Sequence, residues 1–354
     1  MIECIFTIDY EIYGNGEGSL KELVYKPARR LKTIFDNAEA KFVLFVEAVE
    51  LEKIETFRTD PAIDQVKDQI REFHQAGFEI ALHLHPQWCN ARYENGKWNL
   101  DYKEYNLCTL SERRINEIVG SSIAYLRDLL NVPDFTPLSF RAGNWLFQPT
   151  ATVARVLAKH GIKIDSSVFK GGRQHKHDLD YRRTIKNGCY WKFENDVTIP
   201  NPRGSLFEFP IYTRIMPFWR LLTKKRIGLQ GKASSRARTA GDALDRLRDL
   251  FRFRQPLKFD FCRMTLKELA STLDNAIREN RESPEVFKPM VSIGHTKDLV
   301  DFRTVQTLLS YLKGRRIGIS TFEDIYPKCW PRDPKTRAVE DFAVAGQDAR
   351  LGEN

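Results

Sequence analysis

The chain has 354 residues, 42% hydrophobic and 29% charged, with Gly 20 and Pro 16 scattered along it; this balance excludes collagen, low-complexity sequence and bulk disorder, and the length suits two average domains or one α/β barrel. Lys and Arg total 56 and Asp and Glu 47, a net charge of +9 that suits anionic lipid, nucleic acid or phosphorylated small molecules without selecting among them. Cys 6 in number, at positions 4, 89, 108, 189, 262 and 329, show neither C-x-x-C nor paired spacing, which argues against a zinc cluster or a disulfide scaffold and for reduced thiols in the cytosol.

The start, Met1-Ile2-Glu3-Cys4-Ile5-Phe6-Thr7-Ile8, lacks the basic, apolar and small-residue regions of a secretory signal, and no later run is long and apolar enough for a membrane span. Residues 2–8 read as a buried strand, 25–38 as a helix and 41–46 as a second strand, which together make one βαβ unit. The pattern repeats with a helix over 64–75 ended by Gly77 and a strand over 78–84, a helix over 111–130 and a strand over 136–141, then a helix over 150–159 ended by Gly161 and a strand over 162–166. Regularity lapses over 168–256, which holds a Gly171-Gly172 turn, a hairpin over 189–198, a strand over 206–210 and a basic stretch. Alternation returns with a helix over 265–279, a strand over 290–293, a helix over 302–312 and a short strand over 317–321. The expectation is one domain over 1–330, interrupted by the excursion, and a polar tail over 331–354.

Such alternation predicts an α/β fold with a largely parallel sheet and helices outside it. Gly14-x-Gly16-x-Gly18 follows the first strand, but it lacks the third glycine at the fingerprint spacing and follows two acids that a pyrophosphate would oppose, so dinucleotide binding is a poor reading.

In parallel sheets and barrels, function gathers at the carboxyl ends of the strands. Four strand ends here carry polar groups: Asp9 and Glu11, His83 and His85, Arg141, and His295. Residues two apart on an extended strand face the same side, so Asp9 and Glu11 form one pair and His83 and His85 another. Taken singly, each motif reads as readily as a strand end or a buried structural His. Together, one carboxylate and two imidazoles make a set suited to zinc, with cobalt, nickel or iron as alternatives.

At these residues the sequence resembles the polysaccharide deacetylase family, carbohydrate esterase family four, over most of residues 1–325. Thr7-Ile8-Asp9-Tyr10-Glu11 resembles the family's Thr-Phe-Asp-Asp motif with one residue inserted between the acids. His83-Leu84-His85-Pro86 resembles its two-His motif with the gap shortened to one residue. Phe140-Arg141-Ala142-Gly143-Asn144-Trp145 keeps the Arg of Arg-x-Pro and loses the Pro. Ile164-Asp165-Ser166-Ser167 is similar to the strand that ends in an acid, Glu208-Phe209-Pro210 to a barrel-wall segment, and Ser292-Ile293-Gly294-His295 to the Leu-x-x-His motif. The resemblance implies a distorted (β/α)7 barrel holding one divalent metal ion, most readily Zn2+, on Glu11, His83 and His85. It implies Asp9 as catalytic base, with the roles of Asp9 and Glu11 exchangeable, Arg141 as its orienting partner and His295 as general acid. Trp88, Asn144, Trp145 and Asp165 are the expected substrate contacts.

The resemblance is strongest to deacetylase-like proteins of bacterial surface-polysaccharide (O-antigen) biosynthesis. It implies removal of an N-acetyl or related acyl group from a nucleotide-linked or lipid-linked sugar in the cytoplasm. An O-acetyl esterase, an N-deformylase and a noncatalytic glycan-binding barrel are the alternatives. Residues 224–254 carry ten basic and three acidic side chains directly after the apolar Ile215-Met216-Pro217-Phe218-Trp219 run, so residues 215–254 are expected either to touch the inner face of the membrane or to form a solvated helix over 240–253. No recognised nucleic-acid motif accompanies the charge.

Overall fold

The computed structural model describes residues 1–185, 189–233 and 254–329. The expected helix over 240–253 and the tail over 331–354 lie outside them. In chain order the strands are β1 (Ile2–Tyr10), β2 (Val43–Glu47), β3 (Glu79–Leu84), β4 (Arg92–Glu94), β5 (Lys97–Asn99), β6 (Ser139–Ala142), β7 (Ile164–Asp165), β8 (Arg173–Gln174), β9 (Leu179–Asp180), β10 (Trp191–Phe193), β11 (Leu206–Glu208), β12 (Thr213–Pro217), β13 (Arg254–Lys258), β14 (Lys288–His295) and β15 (Gly318–Ile319). The helices are α1 (Lys26–Asn37), α2 (Ala48–Phe57), α3 (Ile63–Gln75), α4 (Glu112–Leu130), α5 (Ala151–Lys159), α6 (Lys224–Ala233), α7 (Leu266–Glu282), α8 (Phe302–Gly314) and α9 (Phe322–Cys329).

Nine strands form one sheet in the order β10-β11-β7-β6-β3-β2-β1-β14, with β15 also on β1. Every pairing in it is parallel except β10 with β11. The sheet curls into an open half-barrel of the distorted (β/α)7 deacetylase type, and single bridges from Phe169 to Ile211 and from Ile211 to Val291 span the gap between its two ends. Strands such as β1 and β2 are buried on both faces, which is why they read as continuous apolar runs rather than alternating ones.

Helix ends follow local chemistry. Ser111 caps α4 by accepting from Arg114 N, and Asn131 ends it in the left-handed conformation. Thr265 and Glu268 form a capping box at the start of α7. Ala28, Leu31, Ile34 and Phe35 are the buried stripe of α1, and an aromatic cluster of Phe6, Phe35, Phe42, Phe73 and Phe78 ties α1 and α3 to the sheet.

Two local expectations change. Residues 189–198 do not fold into a hairpin of their own, because Trp191–Phe193 pairs with Leu206–Glu208 at the sheet edge. Helix α2 and the β4–β5 ribbon were not foreseen. The low hydropathic contrast of Ala48–Phe57, with Glu50 buried among its apolar residues, hides the helical period.

Candidate metal centre

The parallel register brings the carboxyl ends of the strands into one row. Asp9 is opposite both Phe45 and His295, Glu47 is opposite His83, His83 is opposite Arg141, and Phe140 is opposite Asp165. Residues far apart in sequence therefore share one floor.

Glu11, His83 and His85 converge there, all buried, with donor atoms within 4.8 Å of one another; Asp9, Glu11 and His295 form an overlapping group. Glu11 Oε2 lies 3.1 Å from His85 Nε2 and 3.8 Å from His83 Nε2. For tetrahedral ligands at about 2.0–2.1 Å from zinc, the expected separation is about 3.3 Å. Glu11 Oε2 and His83 Nε2 are buried with no hydrogen-bond partner, the condition of atoms awaiting a cation. The residues therefore fit a divalent ion.

The surroundings set the imidazole tautomers. His83 Nδ1 lies 2.9 Å from the carbonyl oxygen of Arg141, so it carries the proton and leaves Nε2 free. His85 Nδ1 faces the side-chain amides of Gln87 and Asn144 at 3.2 and 3.3 Å. Turning the Gln87 amide by half a rotation would bring its unpartnered Oε1 onto Nδ1–H and free His85 Nε2 as well. The backbone N–H of His85 donates to Glu47 Oε1 at 2.8 Å.

Asp9 belongs to a second network. Arg141 is fully buried; its Nη1 donates to Asp9 Oδ1 at 2.6 Å, its Nη2 to Thr7 Oγ1 at 2.9 Å and its Nε to the Ser166 carbonyl oxygen at 2.9 Å. Its guanidinium stacks on Phe45 at 3.9 Å from the ring centroid. Burial pushes the Asp9 carboxyl upward, but Arg141, His83 and His295 outweigh it and hold it below the usual range. Asp9 Oδ2 faces His295 Nε2 at 3.4 Å and His83 Nε2 at 3.9 Å. His295 Nδ1 lies 3.7 Å from Asp298 Oδ2, and burial lowers the imidazole's proton affinity.

Several residues at the site escaped the sequence reading. Lys297 Nζ is 2.7 Å from Glu11 Oε1 and 2.9 Å from the Ile12 carbonyl oxygen. Burial pushes Glu11 upward, yet Lys297, His85 and His83 hold it well below its ordinary value. Lys297 lies in the short helical turn Thr296–Asp298 just past β14, so no strand spacing marked it. Glu47 ends β2, another strand-end acid. Burial raises Glu47 well above its normal value and Glu50 to about 8.

The expected substrate contacts divide. Asn144 and Trp145 are half-buried beside the centre. Trp88 is fully buried, edge-on to Trp98 at 5.0 Å between ring centroids, and has no open face for a sugar. Asp165 is also fully buried; it accepts from the Ser167 hydroxyl at 2.7 Å and shares a hydrogen bond with Glu208, which places it beneath the floor. Both are supports of the site, not surfaces of it.

No protein-family model matches the sequence, and no curated protein matches it. Solved structures do match. One is a Mycobacterium smegmatis protein provisionally named a polysaccharide deacetylase, with TM-score 0.50, 15% identity and coverage of 92% of this chain and 88% of that one. Another, from Pseudomonas aeruginosa PAO1 and provisionally named likewise, has TM-score 0.50, 13% identity and coverage of 94% and 93%. A GH57 branching enzyme from Thermococcus kodakaraensis has TM-score 0.53 at 10% identity, covering 94% of this chain and 72% of that one. At these identities the likeness is one of fold. That barrel carries differently named enzymes, so the chemistry has to be argued from the site. Fold and site together define a polysaccharide-deacetylase-like barrel with a candidate divalent-metal triad at its strand ends.

Proposed function

We propose that this chain is a metal-dependent hydrolase that removes an N-acetyl or related acyl group from a sugar during assembly of a bacterial surface polysaccharide. The observation that carries the reading is the convergence of the unpartnered Glu11 Oε2 and His83 Nε2 on His85, beside the buried Asp9–Arg141 pair.

A bound divalent ion, most readily Zn2+, would supply positive charge to polarise the acyl carbonyl and acidify water. Glu11, His83 and His85 would hold it. Asp9, pinned by Arg141 through Oδ1, keeps Oδ2 available to take a proton from the attacking water. His295 faces the same oxygen and is placed to deliver a proton to the departing amine. The products are acetate, or the corresponding acid, and an amino sugar.

We extend the reading to a cytoplasmic enzyme that works at the inner membrane face on a lipid-linked glycan. Among the described residues no helix is long and apolar enough to cross a membrane. The support lies in the outward end of the β12–β13 ribbon, where Ile215, Phe218, Trp219, Leu222 and Ile227 are exposed. Charge contributes less than the sequence implied: Lys225 pairs with Asp301 at 3.2 Å and Arg226 with Glu268 at 2.8 Å. Flotation with anionic liposomes should therefore depend on Phe218 and Trp219 more than on Lys225 and Arg226. Native protein that fails to float would remove the membrane contact.

The function is tested by metal content and acetate release. Expected are about one ion per chain, loss of the ion in His83→Ala, and release from N-acetylated sugars that Asp9→Asn abolishes while the ion stays. A protein that takes up no ion and releases no acid is a glycan-binding barrel instead.

A further inference from the structure

Lys258 ends β13, where the ribbon leaves the barrel next to the centre, since Phe259 N donates to the Tyr212 carbonyl oxygen and Asp260 bridges to Ile293 of β14. Its ammonium lies 4.0 Å from the centroid of Trp145 and 4.5 Å from that of Phe169. An ammonium has three donors, and a buried cation is costly without an anion or acceptors. Among the described residues, Lys258 Nζ makes no hydrogen bond and no carboxylate lies within ion-pair distance. Asp260, two residues on, is committed elsewhere: its Oδ1 accepts from Cys262 N and Arg263 N, each at 2.9 Å. The residue as a whole is half-buried.

The other charges of the site are already balanced. Asp9 is matched by Arg141 and Glu11 by Lys297. A divalent ion would therefore leave the site strongly positive, with Lys258 adding to the excess. The aromatic cover is held at a cost. Asn144 and Trp145 have φ of 56° and 67°, the left-handed region that a bulky non-glycine residue such as Trp enters only when held there. Gln174 Nε2 on the Asn144 carbonyl oxygen, at 2.8 Å, and the Tyr181 hydroxyl on that of Trp145, at 2.6 Å, hold the turn. Burial also pushes the Lys258 amine down to about 7, so a bound anion would be needed to hold it fully charged.

We propose that Lys258, framed by Trp145 and Phe169, is a specificity-determining residue that donates to an anionic substituent, carboxylate or phosphate, on the sugar whose acyl group is removed. The inference rests on the hydrolase reading for the acyl group and on the aromatic-framed amine for the anion. A carboxylate would come from a uronic acid and a phosphate from a glycosyl phosphate.

Zinc-loaded protein is titrated calorimetrically with N-acetylglucosamine, N-acetylglucosaminuronic acid and N-acetylglucosamine 1-phosphate, and acetate release is followed in parallel. At least one anionic probe should bind tenfold or more tightly than the neutral sugar; which one does so identifies the source. Lys258→Met should remove that preference with metal content retained, and Lys258→Arg should restore it. If Lys258→Met misfolds, Lys258→Gln takes its place. Equal binding of all three probes by the native protein overturns the proposal. So does a preference that survives in Lys258→Met, because the ion itself then binds the anion. An anion preference that depends on Lys258, without acetate release from any probe, sinks the hydrolase reading alone.

Discussion

Lys297 Nζ and Glu11 Oε1 form an ion pair of 2.7 Å directly behind the candidate metal triad, so one carboxylate serves a lysine through one oxygen and faces two imidazoles with the other. The lysine opposes an incoming cation and neutralises the carboxylate in its absence. In Lys297→Met the metal-free protein should lose roughly 3–5 kcal/mol, the penalty of a buried charge left unpaired. Zinc affinity should rise at least tenfold, and thermal melts with and without zinc, together with chelator competition, read both effects. Unchanged affinity would mean that Lys297 does not oppose the ion.

Gly143 follows Arg141 by two residues, just past the end of β6, and packs against the end of the neighbouring strand β3. A Cβ there would come within 2.6 Å of the Leu84 carbonyl oxygen and 2.7 Å of the His85 ring. Gly143→Ala should therefore shift His85 and weaken metal binding about 10- to 100-fold, comparable with loss of a group that orients a ligand. Circular dichroism should stay native. Native affinity in this variant would show that His85 can move without loss.

Arg141 holds Asp9 inside the barrel through the 2.6 Å ion pair from Nη1 to Oδ1. Arg141→Met should cost roughly 3–5 kcal/mol in denaturant unfolding, since it strands the carboxylate. Asp9→Asn combined with Arg141→Met should recover part of that loss. If the double variant is only as stable as the sum of the two single losses, the pair contributes nothing.

Glu79 predicts an alkaline weakness. Burial raises its carboxyl to about 8, and it lies between the Ser139 hydroxyl at 2.7 Å and the Glu323 backbone N–H at 3.0 Å. A carboxyl whose folded value lies above its unfolded one stabilises the protein below the unfolded value, and that contribution is lost as pH rises through the folded value. Stability should thus decline between about pH 4.5 and 8. Glu79→Gln, which offers an amide to Ser139 and an oxygen to Glu323, should melt a few degrees higher than the native chain at pH 8 and close to it at pH 5. Parallel melting curves at the two pH values would contradict this.

Much of the centre could be read from spacing. Asp9 and Glu11, or His83 and His85, are two apart across the ends of β1 and β3, and backbone that stays extended past a strand end puts such residues on one face. Glycines after α3 and α5 marked helix ends because a left-handed position is needed there, with φ of 78° at Gly77 and 89° at Gly161. The burial of Trp88 is not legible in the sequence, which cannot tell which face of an indole is covered. Here the β4–β5 ribbon lays Trp98 over it.

The sequence by itself determined the main alternation of parallel strands and helices, the ends at which chemistry gathers and the residue types assembled there. These follow from local periodicity and from the directionality of a parallel sheet. Only the tertiary structure decided that Lys297 serves Glu11, that Lys225 and Arg226 are spent on acids, and that Lys258 stands between two rings without a counter-charge. Those relations join segments separated by as many as 286 residues. They depend on how the chain curls and where it buries charge, and neither is written in the spacing of neighbours.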